Sequence, residues 1–234
     1  SWLNFDGTTR TFSGTPSPNF NGVLELKVSA TDGSATASDT FTVTISPVED
    51  EATGTVSVSG SAAEGGTVTA QTSITDVDGA ITSTSYQWQI SSNGSDWSDL
   101  SGATSASYGI ASDQSQVGKF LRVAVVTTDA LGGTTQFTSA ATGAIANVND
   151  APVLASAIVD QVSTEDTAWS YVVPAGTFSD VDGDALTYSA SQGDGSALPS
   201  WLSFDGTTRT FSGTPPLNFN GALELKVSAT DGSA

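Results

Sequence analysis

The sequence predicts an all-β chain built as tandem β-sandwiches, and three observations carry that expectation. Apolar residues recur at every second position in short runs. In Val23–Thr31, for example, Leu24, Leu26, Val28 and Ala30 share one face, and Glu25, Lys27, Ser29 and Thr31 share the other. These runs are separated by clusters of Gly, Asp, Asn and Ser, with 24 glycines among 234 residues, which is turn punctuation between short strands. Finally, one 35-residue sequence occurs twice: Ser1–Ala35 and Ser200–Ala234 differ only at Asn4/Ser203, Ser17/Pro216, Pro18/Leu217 and Val23/Ala222. The offset from Ser1 to Ser200 is 199 residues, about twice the roughly 100 residues of one sandwich. The repeating unit is therefore expected to be two domains.

Along the chain, residues 1–50 read as the second half of one domain. After Val23–Thr31, Asp32-Gly33 turns the chain toward the alternating strand Thr40–Ile45. Pro47-Val48-Glu49-Asp50 reads as a linker. Residues 51–149 form a middle domain. There Tyr86, Trp88 and Ile90 lie on one strand face, and Leu121, Val123 and Val125 make a second alternation. Trp97 sits in a polar loop after Asn93-Gly94, and Asn147 to Pro152 form the second linker. Residues 150–234 read as a domain without its last strand. Its expected strands are Trp169–Val173, Ala185–Ala190, Trp201–Phe204, Arg209–Ser212 and Ala222–Thr230, with a turn at Gly193-Asp194-Gly195. Both ends of the chain are expected to fall inside a domain, as in a window on a longer array.

Composition narrows the function classes. With 25 acidic and 6 basic residues the formal net charge is −19. No basic face for nucleic acid can be built from it, and anionic membrane surfaces are disfavoured. Cys, His and Met are absent, which removes thiol nucleophiles, His-based acid–base catalysis and the usual zinc, copper and haem ligands. No apolar run approaches the roughly 18 residues of a membrane span. The acids then have two readings, a self-repelling solvated surface or carboxylates that hold a hard cation such as Ca²⁺.

The motifs carry a family resemblance. Phe178-Ser179-Asp180-Val181-Asp182-Gly183-Asp184, Leu198 to Leu202, and Phe211-Ser212-Gly213-Thr214-Pro215 resemble, in that order, the dystroglycan-type cadherin-like domains of bacterial surface proteins. Residues 1–50 resemble the second half of the same domain. The linker Val148 to Pro152 is similar to those of giant repetitive adhesins. The middle domain, with Tyr86-Gln87-Trp88-Gln89, Trp97 and Val117 to Val123, looks like a bacterial immunoglobulin-like repeat. The fold class so implied is tandem Ig-like and cadherin-like sandwiches.

The cadherin-like resemblance implies Ca²⁺ at domain junctions, held by a linker Asn-Asp, an acid in an early loop, an Asp-x-Asp pair and an Asp after a Val-x-Ala-x motif. Before the third domain these positions fall on Asn149, Asp150, Glu165, Asp180, Asp182 and Asp231. Before the middle domain they fall on Asp50, Glu64, Asp76, Asp78 and Asp129. Asp32 matches Asp231. Asp-Val-Asp-Gly is also a good turn without metal, and the spacing is not that of an EF-hand loop. Asp180 and Asp182 could in principle form a glycosidase pair, but they sit on a repeated turn, so no enzyme is expected. Trp2, Trp97 and Trp201 could stack on sugars, or could be packing residues. Two functions follow as expectations. One is a calcium-stiffened spacer or filament in an extracellular, cell-surface or secreted fibre, with adjacent repeats of the same protein as head-to-tail partners. The other is a carbohydrate- or surface-binding module of an adhesin; a cell-surface or glycan ligand could also be bound elsewhere in the full protein.

Overall fold

The computed structural model describes residues 1–233; Ala234, the last residue of the expected third domain, lies outside the described residues. Every regular element among them is a strand, and no helix is long and apolar enough to cross a membrane. The chain divides into two compact units. The first holds Ser1–Ala62, Gly66–Gly109 and Lys119–Ile145. The second holds Ala63–Gly65, Ile110–Gly118 and the residues from Ala146 onward.

The first unit begins with two hairpins. β1 (Leu3–Asp6) pairs with β2 (Thr11–Gly14), and β3 (Gly22–Thr31) pairs with β4 (Thr36–Ile45) over ten residue pairs, from Gly22↔Ile45 to Thr31↔Thr36. β4 starts four residues earlier than the alternation predicts. The reason is the turn, where the Asp32 carboxylate accepts from the Ser34 and Ala35 amides, both at 2.8 Å, and closes the reversal within residues 32–35. Apolar side chains of these hairpins stay open to solvent, with Phe5 at 42 % and Phe41 at 43 % exposure.

Seven further strands complete this unit. β5 (Thr53–Gly60), β6 (Thr67–Thr75) and β9 (Ser107–Gly109) make one antiparallel sheet in the order β5-β6-β9. β7 (Ser83–Ser91), β8 (Ser98–Asp99), β10 (Phe120–Thr128) and β11 (Thr134–Thr138) make the other, in the order β11-β10-β7-β8. On β10 every second residue, Leu121, Val123, Val125 and Thr127, is buried, as period-2 alternation requires of a strand with one covered face. Trp88 on β7 is completely buried and sits opposite Val123 in the register. Its indole N–H donates to the Ser105 carbonyl at 2.9 Å, so the ring enters the core without an unpaired donor. Tyr108, on the other sheet, meets the indole at 5.9 Å between ring centroids, so Trp88 helps join the two layers. Trp97 packs beneath Arg122 of β10, whose guanidinium carbon lies 4.4 Å from the ring centre.

The second unit is a smaller sandwich. β12 (Val153–Leu154) pairs with β14 (Phe178–Ser179). β13 (Trp169–Val172), β17 (Thr210–Gly213) and β16 (Leu202–Asp205) form a sheet in the order β13-β17-β16, and β15 (Thr187–Gln192) pairs with β18 (Leu225–Thr230). Val173, Leu202 and Phe211 are its buried centre, with Trp169, Tyr171 and Leu225 packed around them. The expected strands are present with shifted ends. β12 and β14, two residues each, are too short for alternation to reveal. The repeated sequence keeps its local backbone in both copies: Arg10 and Arg209 both take φ of 58°, and Asn19 and Asn218 take 63° and 60°, left-handed turn conformations.

Candidate metal centre

The acids gather where strands hand over to loops. In the first unit Asp76 and Asp78 follow β6, Asp129 follows β10, and Asp50 lies in the linker between β4 and β5. The Asp78 amide donates to Asp76 Oδ1 at 2.8 Å, which closes a tight Asx turn. The Asp50 amide donates in turn to Asp78 Oδ2 and ties the linker to that turn. Asp129 Oδ1 accepts from the Leu131 and Gly133 amides at 2.6 and 3.0 Å. The other oxygen of this side chain and Glu49 Oε1 converge over Gly133. A Cβ there would stand 1.9 Å from Glu49 Oε1 and 2.4 Å from Asp129 Oδ2, so a larger residue would have to push these carboxylates aside. Glu49 is held above its ordinary carboxylate pKa by desolvation, and then by the charges of Asp129, Asp76, Asp78 and Asp50.

The second unit repeats this scheme. The Asp182 amide donates to Asp180 Oδ1 at 2.9 Å, and the Asp150 amide donates to Asp182 Oδ2 at 2.7 Å. Asn149 donates its side-chain amide to Asp231 Oδ2 at 2.7 Å, and Asp231 Oδ1 accepts from the Ser233 amide. Glu64 joins this set from the turn after β5. A parallel bridge between Ala63 and Ala146, with the Glu64 amide on the Ala146 carbonyl at 2.9 Å, holds it there. Oxygens of Glu64, Asp150 and Asp182 all lie within 4.8 Å of one another, and so do those of Asp180, Asp182 and Asp184. That is the reach of two opposed Ca–O bonds of about 2.4 Å each. Gln114 enters from the loop after β9. Its side-chain nitrogen, with two protons, faces three acceptors: Asn147 Oδ1 at 2.6 Å, Glu64 Oε2 at 3.3 Å and Asp182 Oδ1.

Three carboxylate oxygens in these sets, Glu64 Oε1, Asp76 Oδ2 and Asp180 Oδ2, are buried and have no hydrogen-bond partner. Glu64 itself is only 9 % exposed. Two carboxylates 4–5 Å apart repel by roughly 3–4 kcal/mol at an effective dielectric near 20, and an unpaired buried charge adds a desolvation cost. Each set therefore fits a hard cation. The donors are oxygens, several per site, on turns already closed by their own backbone.

The placement departs from the expected sets at two residues. Glu64, expected with Asp50, Asp76, Asp78 and Asp129, lies with Asp150 and Asp182. The reason is that β5 has eight residues and covers about 26 Å, so a residue beyond its end cannot share a site with the linker before its start. Glu165, expected with Asp150, is exposed and lines a cleft beside Trp169 and Trp201. Asp32 caps its own turn. Glu49, Gln114, Asn147 and Asp184 complete the sets and were absent from the expected ones. Glu49 was recognisable in the sequence, because Val48-Glu49-Asp50 matches Val148-Asn149-Asp150. Gln114 sits on a loop with no local signal.

Comparison with known proteins gives a family match. The He_PIG model, described as Putative Ig domain, matches residues 1–46 and 151–234, more than half of the chain. Those are the segments whose motifs resemble cadherin-like domains, and the middle segment lies outside the match. No curated protein matches the chain. Among solved structures, an endo-fucoidan hydrolase of glycoside hydrolase family 107 is similar at 19 % identity and a TM-score of 0.30. The match covers 100 % of this chain but only 36 % of that one.

Proposed function

The chain belongs to the He_PIG family of Ig-like domains, and from that premise we propose that it is a structural segment of a long, repetitive extracellular protein. It serves as a stiff spacer or filament whose linkers are fixed by Ca²⁺ in the manner of cadherin-like arrays, and it performs no catalysis. The observation that carries this reading is the trio of buried, unpartnered carboxylate oxygens on Glu64, Asp76 and Asp180. In one site Glu49, Asp50, Asp76, Asp78 and Asp129 would hold the ion. In the other Glu64, Asn149, Asp150, Asp180, Asp182 and Asp231 would hold it, with Gln114 turning its amide oxygen inward. An ion would neutralise the clustered charge and clamp each linker to the turn beside it. Two sites of like design, one at each linker, suit a repeated mechanical link better than a unique binding site. Extracellular calcium modules work at about 10⁻⁴–10⁻³ M, and sites of that affinity would suit a protein outside the cell or on its surface.

A sugar-binding role would require open aromatic platforms. Trp97 is covered by Arg122 and Trp2 packs on Phe20 at 5.6 Å, which favours packing for these two; Trp201 packs on Phe219 at 5.4 Å and also lines a cleft with Trp169. The test is thermal melting of metal-free protein in chelator against millimolar Ca²⁺. The reading expects a clear rise in melting temperature with Ca²⁺. Superimposable curves would overturn it.

A further inference from the structure

Gln114 joins the second acid set from a loop that is tied down on both sides of it. The Gly65 amide donates to the Ala111 carbonyl at 3.1 Å, and the Ala111 amide donates to Gln116 Oε1 at 3.3 Å. The Ser115 amide donates to Asp113 Oδ1 at 2.9 Å and turns the chain at Gln114. Glu64, Gln114, Asn147, Asp150 and Asp182 all belong to the second compact unit. Three of these side chains hold the linker. Gln114 donates to Asn147 Oδ1, Glu64 Oε2 accepts from the Val148 amide at 3.3 Å, and Asp182 Oδ2 accepts from the Asp150 amide at 2.7 Å. Gln114 also donates to Glu64 Oε2 and to Asp182 Oδ1, so it connects the two carboxylates that grip the linker.

Charge dictates which end of this amide points inward. Oxygens of Glu64 and Asp182 lie within 4.8 Å of each other. An amide oxygen turned toward them would add a third negative atom, whereas the NH₂ group meets both as a donor. A divalent cation at the same place reverses the preference, because Ca²⁺ takes carbonyl oxygens as ligands. Glutamine can serve both needs, since a half-turn about its last torsion exchanges NH₂ for C=O. An independent feature points to a cation here. Glu64 is only 9 % exposed, and its Oε1 has no hydrogen-bond partner even with the Gln114 amide beside the other oxygen.

We propose that Gln114 is a two-position switch of this site. Without a divalent cation its NH₂ group bridges Glu64, Asn147 and Asp182 and keeps the linker docked. With a cation in place the side chain turns over and supplies its oxygen as a ligand. The linker at residues 147–150 is then held at every Ca²⁺ concentration, first by the donor and then through the cation. A link of this kind does not fall slack when Ca²⁺ is scarce. The second position rests on the calcium reading; the first stands on hydrogen bonds alone.

The test compares the full chain with two variants. Gln114→Met keeps the length of the side chain and removes donor and acceptor together, and Gln114→Glu removes the donor alone. Both should keep the β-type circular dichroism spectrum of the parent, since the residue lies on a loop. The first readout is hydrogen exchange of the linker amides in chelator, followed by NMR. Both variants should speed exchange at Val148 and Asp150 by about tenfold or more, with Asp50 in the other linker unchanged. The second readout is calorimetric Ca²⁺ titration. Gln114→Met should weaken one class of site by about tenfold, and Gln114→Glu should keep or raise its affinity. A Gln114→Met chain with parental exchange at Val148 and Asp150 overturns the proposal, because the donor then holds nothing. A Gln114→Met chain that binds Ca²⁺ as tightly as the parent, or more tightly, also overturns it, because the side chain then supplies no ligand. Either result in a parent chain that binds Ca²⁺ leaves the calcium reading standing. A parent chain that binds no Ca²⁺ overturns that reading and the switch together.

Discussion

Phe12 and Phe211 occupy the same place in the two copies of one sequence, yet Phe211 is 2 % exposed and Phe12 is only half-buried. Phe211 packs between Phe204 at 4.7 Å and Trp169 at 6.4 Å. Phe12 has Phe5 and Phe41, both open to solvent. Identical substitutions should therefore have unequal costs. Phe211→Ala should destabilise the second unit by about 3–5 kcal/mol, and Phe12→Ala should cost about 1–2 kcal/mol. Denaturant unfolding of the two variants measures this, and equal losses would mean that the burial difference is wrong.

Trp88 helps join the two layers of the first unit. Trp88→Ala should cost about 3–5 kcal/mol, because the side chain is completely buried and its N–H is satisfied by Ser105. Trp88→Phe should cost less, since most of the ring volume is kept. Losses below about 1 kcal/mol for Trp88→Ala would show that the strand register is wrong.

Gly133→Ala is a selective probe of the first acid set. The added methyl would collide with Glu49 Oε1 and Asp129 Oδ2 and push these carboxylates aside, so it should weaken the cation site in the first unit and leave that in the second unit unchanged. Loss at both sites, or at neither, in a Ca²⁺ titration would contradict the assignment of Glu49 and Asp129 to one site.

The carboxylates split by sign of pKa shift. Asp205 is lowered by hydrogen bonds from the Thr208 side chain and the Thr207 and Thr208 amides, and Asp6 by the equivalent Thr8 and Thr9. A depressed folded-state pKa contributes stability above the unfolded value, and that stability is lost as pH falls through the folded one, here below about pH 4. Glu49 is raised, so without a divalent cation its protonation relieves repulsion, and this contribution to stability grows as pH falls. Carboxyl-detected NMR titration should place the Asp205 midpoint below the ordinary Asp value and that of Glu49 above the ordinary Glu value. The reverse order would contradict the hydrogen bonds and clustering described.

Strands with one buried face were legible in the sequence. β3, β7 and β10 follow their alternation because Leu24, Trp88 and Leu121 must face inward. β12 and β14 were not, because two residues carry no period. The Asp-x-Asp turns were legible as well, since Asp76 and Asp180 close them locally. The membership of Glu64 was not, because it depends on which end of β5 the residue reaches. Gln114 depends on a loop that packs through tertiary contacts. The burial of Phe211 and the exposure of Phe12 follow from what packs beside each copy, a difference that identical local sequence cannot encode.

The most direct measurement of the calcium account is calorimetric Ca²⁺ titration of the metal-free chain beside Asp78→Asn and Asp182→Asn. These residues hold equivalent places, each accepting the amide of a linker Asp, Asp50 or Asp150. The account predicts two classes of site in the parent chain, each variant losing a different one by about tenfold or more in affinity. A parent chain that binds no Ca²⁺ at millimolar concentration, or variants that bind as the parent does, would contradict it.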